Sequence, residues 1–134
     1  SSTLEEVREE IAVLVNEVRR ENGLQELTID QRLMAAAQNC SDQKFTWHHT
    51  KEESEAVAAS GYPYGFGSNL TVFTGAAIAD IAQRAVDNWE KSPGHFHAMT
   101  DPGATSLGVG VTKDNGVTYC YLFLGKPKTN NPYG

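Results

Sequence analysis

The chain has 134 residues, 40% of them hydrophobic and 21% charged, with 12 Gly and 5 Pro, which places it among ordinary globular domains and away from disordered or collagen-like chains. A single domain of this size buries roughly 68% of the surface that its unfolded chain exposes, enough for a core without disulfide staples. The formal net charge of −6 is lopsided: residues 1–60 carry 12 acidic and 6 basic side chains, and residues 61–134 carry five of each. Without a Lys/Arg cluster, nucleic acid and anionic membrane surfaces are disfavoured as partners. No apolar run reaches the roughly 20 residues needed to span a bilayer. No signal peptide lies within the numbered chain, and Ser1, where an initiator Met would stand, is compatible with a mature exported form.

Leu4, Val7, Ile11, Leu14, Val15 and Val18 recur at helical spacing and predict a first helix, opened by a Thr3/Glu6 capping box and stopped by Gly23. A short apolar loop, Leu24 to Ile29, leads to Asp30 as the N-cap of a second helix running to about Lys44, with Leu33, Ala36, Ala37 and Cys40 on its apolar stripe. A further helix is expected from Lys51 to Ala59 behind a Thr50/Glu53 capping box. The run Gly61 to Gly67 combines turn residues with aromatic rings and feeds a short strand, Leu70 to Phe73. Thr74 caps a third long helix from about Ala76 to Trp89, and Ser92-Pro93-Gly94 begins a short helical turn through Met99. Beyond Pro102 the period becomes two: Leu107, Val109 and Val111, a turn at Asp114-Asn115-Gly116, then Val117 to Leu124, a β-hairpin. Residues 126–134 read as a poorly ordered tail. Helices bracketing a small antiparallel sheet imply a layered α+β domain spanning residues 1–134.

All four histidines fall in two phrases, Trp47-His48-His49-Thr50 and Gly94-His95-Phe96-His97, at element boundaries where side chains carry little packing duty. Two imidazoles brought together suit a divalent transition metal. The competing reading makes them surface or capping histidines, since no dense metal signature such as H-E-x-x-H is present. Ser68 is a candidate nucleophile, with His49 or His95 as base and Glu90 or Asp87 as orienter, but Gly-Phe-Gly-Ser-Asn does not match the G-x-S-x-G elbow. Cys40 and Cys120 either pair, in an exported protein whose second helix packs on the hairpin, or remain buried small hydrophobes.

One family pattern collects these pieces. The phrases Leu14-Val15-Asn16-Glu17-Val18-Arg19, Gly23-Leu24, Leu33-Met34-Ala35-Ala36-Ala37, His49-Thr50, Gly67-Ser68-Asn69-Leu70, Trp89, Ser92-Pro93-Gly94-His95 and Leu107-Gly108-Val109-Gly110 stand in the order of a CAP domain. The chain resembles that superfamily of cysteine-rich secretory, antigen 5 and pathogenesis-related proteins, and especially its bacterial SCP-like branch, over residues 5–125. The resemblance implies an α-β-α sandwich, secretion, and a cleft where two His and two acidic residues often meet, in some members around zinc. His49 and His95 match the cleft histidines, while His48 and His97 match no position of the pattern. Ser68 stands where the Gly-Glu-Asn phrase supplies the first carboxylate, with Asn69 retained. Glu90 lies one residue beyond Trp89, where members with the full set have three. A tetrad so depleted implies weak or no binding of zinc or another divalent metal. The expectation is a secreted binding module with a cleft lined by His49, His95, Ser68, Asn69, Glu90, Tyr62, Tyr64 and Phe66, for a cell-wall, host or apolar ligand. The alternative is a hydrolase or protease using His49 and His95 with Ser68 or Glu90.

Overall fold

The computed structural model describes residues 3–134, so Ser1 and Ser2 lie outside the described residues. Local chemistry sets the first two helices. Thr3 opens α1 (Leu4–Glu21) by the expected box, its hydroxyl accepting from the Glu6 N–H at 3.2 Å and its own N–H donating to the Glu6 carboxylate at 2.9 Å. Gly23, at φ +73°, ends the helix by turning left-handed, and the Leu24 N–H returns to the Arg19 carbonyl at 2.9 Å. Asp30 caps α2 (Gln31–Asp42) by accepting from the Arg32 and Leu33 N–H groups. Between the two helices, the expected loop holds β1 (Thr28–Ile29).

The remaining elements are α3 (Thr50–Ala59), β2 (Gly65–Thr74), α4 (Ile78–Glu90), α5 (Pro93–Met99), β3 (Ser106–Asp114) and β4 (Val117–Lys126). Two expected caps do not form. Thr50 is the first residue of α3, with His49 at the N-cap, so Glu53 turns away from it. Thr74 is absorbed by β2, which leaves α4 to begin at Ile78 without a side-chain cap. The strand β2 is ten residues long because it pairs with β4 over its whole length, from Gly65↔Lys126 to Thr74↔Val117.

The sheet has four strands in the order β1-β3-β4-β2. Both long pairings are antiparallel, and the short β1 adds a parallel edge to β3. The β3–β4 turn falls at Asn115 and Gly116, both at positive φ (50° and 76°), as a two-residue hairpin with this twist requires. Side chains alternate between two helical layers. Leu107, Val109, Val111, Cys120, Leu122 and Leu124 enter the core with α1 and α4, which contribute Val7, Ile11, Val15, Ile81 and Trp89. Tyr121 and Phe123 face the other way, onto Leu33, Ala36, Ala37, Cys40 and Val57 of α2 and α3. The architecture is therefore an α-β-α sandwich.

This alternation decides the cysteines. Cys40 lies in the α2–α3 layer and Cys120 points through the sheet into the α1–α4 layer, so both are buried free thiols and the anticipated link is not formed. Burial pushes each thiol up to about 12, with Glu53 and Glu52 adding to the effect at Cys40. The tail also departs from expectation. The Gly65 N–H donates to the Thr129 carbonyl at 2.9 Å, and the buried Asn131 side chain donates to the Ser54 carbonyl at 2.9 Å, which ties residues 127–134 against β2 and α3.

Between the sheet and α2, Gly108 and Gly110 leave room for the helix backbone, since a Cβ at either would run into the main chain of Leu33 and Met34 or of Ala37 and Gln38. Gly108→Ala should therefore cost about 2 kcal/mol or more in urea unfolding, as overpacking against a backbone that has nowhere to go. Gly94→Ala, with nothing within 4 Å of the new methyl group, should leave the midpoint nearly unchanged. Equal midpoints for the two variants would show that α2 does not sit on these glycines.

Candidate functional site at the edge strand

β2 is an edge strand, and the two helical layers meet over it. His48 lies just before α3, and His95 is the third residue of α5 in the opposite layer. Their ring centroids are 6.4 Å apart. Beside His48, Glu53 is 3% exposed and takes four donors. Its Oε2 accepts from His48 Nδ1 at 2.8 Å, the Tyr121 hydroxyl at 2.9 Å and the His49 N–H at 3.2 Å, and its Oε1 accepts from the Ser68 hydroxyl at 2.8 Å. The Ser68 hydroxyl oxygen also lies 3.2 Å from His48 Nδ1. His95 is placed by Ser92, whose hydroxyl is 3.0 Å from Nδ1, and by the Asn69 side chain, which donates to the His95 carbonyl at 2.9 Å.

The electrostatics follow from this geometry. Burial pushes the Glu53 carboxyl up, but the hydrogen bonds from His48, Ser68 and Tyr121 and the neighbouring imidazole outweigh it, so Glu53 titrates below its usual value. The Tyr121 phenol is raised by burial and by Glu53. His95 is lowered, by burial first and then by His48, which favours its neutral form.

The structure brings together Ser68, Asn69 and His95 of the expected set. It takes the carboxylate from Glu53, since Glu90 is exposed at the end of α4, and it takes the first imidazole from His48. His49 points the other way, stacked on Phe45 and Trp47 with centroids 4.0 and 5.2 Å distant. Tyr62 is buried in the α2–α3 layer against Tyr64 and Arg32, and of the expected aromatic rings only Phe66 lines the cleft. That cleft, about 460 Å³, runs from His48, Glu53 and Ser68 to Lys126, Thr129, Asn130 and Pro132. A larger groove of about 650 Å³ between α1 and α2 contains no histidine, and its Asn16, Arg20 and Gln38 side chains are already paired within the protein.

For a metal the donor set is poor. Both Glu53 oxygens are engaged, Ser68 is a neutral ligand, and two imidazoles fall short of the three or four protein ligands of a zinc site. Among the described residues no group of three or more His, Cys, Asp or Glu is arranged to hold an ion.

These features define the class: an α-β-α sandwich with a His- and Glu-bearing cleft over its edge strand. The family model for the cysteine-rich secretory protein (CAP) family matches residues 13–125, and the chain belongs to that family. Solved structures agree on the fold. An outer surface protein from Borrelia burgdorferi matches at TM-score 0.73 and 17% identity, covering 94% of this chain and 96% of that one. An extracellular SCP-domain protein from Bacillus anthracis matches at TM-score 0.74 and 22% identity, covering 91% of this chain and 41% of that one. NaASP2, solved with Zn2+, matches at TM-score 0.72 and 16% identity, covering 95% and 86%. No curated protein matches the chain.

Because the Glu53 value lies below its unfolded reference near 4.3, its contribution to stability is complete above that reference and is lost as pH falls through the folded value. Glu53→Gln should cost about 2–4 kcal/mol at neutral pH and flatten the decline in stability below about pH 4.5. An unchanged acid slope in urea unfolding would assign that titration to another group.

Proposed function

We propose that this chain is an exported binding module of bacterial CAP type whose cleft holds a ligand without turning it over. The observation that carries this reading is the shared acceptor. The Ser68 hydroxyl and His48 Nδ1 both direct their protons to Glu53. A catalytic triad uses the two nitrogens of its imidazole differently, one toward the carboxylate and the other toward the nucleophile. Here Ser68 approaches the nitrogen that already serves the carboxylate, so no imidazole is placed to take its proton, and the low value of Glu53 makes it a weak base.

Export is supported by the outer-surface and extracellular relatives, and among the described residues no helix is long and apolar enough to cross a membrane. The cleft is lined by the polar residues His48, Thr50, Ser68, Lys126 and Asn130 together with Phe66 and Pro132, a lining suited to a small polar ligand from a cell wall or host that has one apolar side.

Purified protein is expected to leave casein, peptidoglycan and ester substrates intact. Turnover that survives purification and disappears in His48→Ala or His95→Ala would establish the hydrolase reading instead. Zinc titrated into the protein in a calorimeter should give weak or no heat of stoichiometric binding, because two imidazoles and a Glu53 carboxylate already engaged at both oxygens fall short of a zinc ligand set. A tight one-to-one isotherm lost in both histidine variants would overturn that expectation.

A further inference from the structure

Residues 45–49 form the bend that leads into α3. His48 goes to the cleft, while Phe45, Trp47 and His49 gather on the other side. His49 is the shared member of a stack, its ring 23° from the plane of Phe45 and 24° from that of Trp47, with centroids 4.0 and 5.2 Å away. Phe45 packs against the buried cluster of α2 and α3, so the stack is rooted in the core. Trp47, at 67%, is the most exposed large hydrophobic side chain of the described residues. An indole held on one side by stacking presents a flat, bare face to solvent.

Through His49 the stack reaches a polar hollow that Trp47 itself does not line. The Glu52 carboxylate lies 3.9 Å from His49 Nδ1 and also lines a hollow of about 280 Å³ between α2 and α3, shared with Asn39, Gln43 and Glu55. Gln43 donates to Asn39 at 2.8 Å, leaving further amide donor and acceptor capacity. Lys51 lies 3.5 Å from Glu55 and offsets it, while Glu52 keeps this surface unfavourable to phosphate-bearing ligands, in line with the acidic excess of residues 1–60. A flat apolar face beside amide and carboxylate acceptors instead complements a pyranose ring, which has an apolar C–H face and a rim of hydroxyl donors.

We propose that Trp47 and the Asn39/Gln43/Glu52 hollow form a glycan-binding site for neutral or amino pyranose chains, separate from the His48–Glu53 cleft. The inference does not depend on what that cleft binds.

The two tryptophans make it testable, because Trp89 is fully buried and Trp47 is not, so quenching by acrylamide reports on the platform. Chitotetraose or cellotetraose is expected to protect Trp47 saturably and to shift its emission to the blue. In isothermal titration, Trp47→Ala should weaken oligosaccharide binding by about tenfold or more, Trp47→Phe should retain much of it, and Val13→Ala, on exposed α1 surface, should leave it unchanged. The proposal is overturned if neither oligosaccharide protects Trp47 at millimolar concentration, if Trp47→Ala binds as the parent does, or if phosphatidylcholine vesicles protect the indole and the sugars do not.

Discussion

The edge of this sandwich is organised around one buried carboxylate. Glu53 is nearly out of contact with water, and an ionised group there is tolerated only when donors compensate the hydration it has lost. Those donors come from the segment before α3, from β2 and from β4. The requirement therefore fixes how α3 lies on the sheet, how β2 is presented at the edge, and where His48 stands. Asn69 and Ser92 perform the matching task for His95 from the other layer. An edge strand left bare invites pairing with other chains, and here the two helix-bearing layers and residues 127–134 close over it.

The same network limits the chemistry. A carboxylate that accepts from His48, Ser68, Tyr121 and a backbone N–H is rigid and weakly basic. Its hydrogen bonds tie together three elements around the cleft, and the oxygens so engaged are less available for metal ligation or proton abstraction. Ser68 is central to this balance. A carboxylate in its place would meet Glu53 as a like charge, whereas a hydroxyl gives Glu53 one more donor.

Sequence reading recovered what short-range chemistry decides. The α1 box, the Asp30 cap and the Asn115-Gly116 turn involve residues a few positions apart, and the layered sandwich follows from their order. The parts that depended on distant partners were not legible. Thr50 and Glu53 have the spacing of a capping box, yet two of the four donors that claim Glu53 lie 15 and 68 residues away at Ser68 and Tyr121. Gly65-Phe66-Gly67 reads as punctuation, and only ten pairings with β4 make it strand. The fate of Cys40 and Cys120 turned on parity: α2 does pack on the hairpin as a disulfide would need, but Cys120 faces the opposite layer, and a shift of one residue in β4 would have reversed the answer.

The bend before α3 also separates the two adjacent histidines. Family resemblance pointed to His49 because its neighbour is Thr50, but the choice belongs to the backbone path from α2 into α3. His48 turns to Glu53 at the rim of the cleft, and Phe45, Trp47 and His49 gather on the other side of the segment, with Phe45 anchored in the core. The stack and the hydrogen bond to Glu53 thus come from neighbouring residues of one bend. A single five-residue segment builds one wall of the cleft and a separate aromatic surface, and the burial of Glu53 holds both in place.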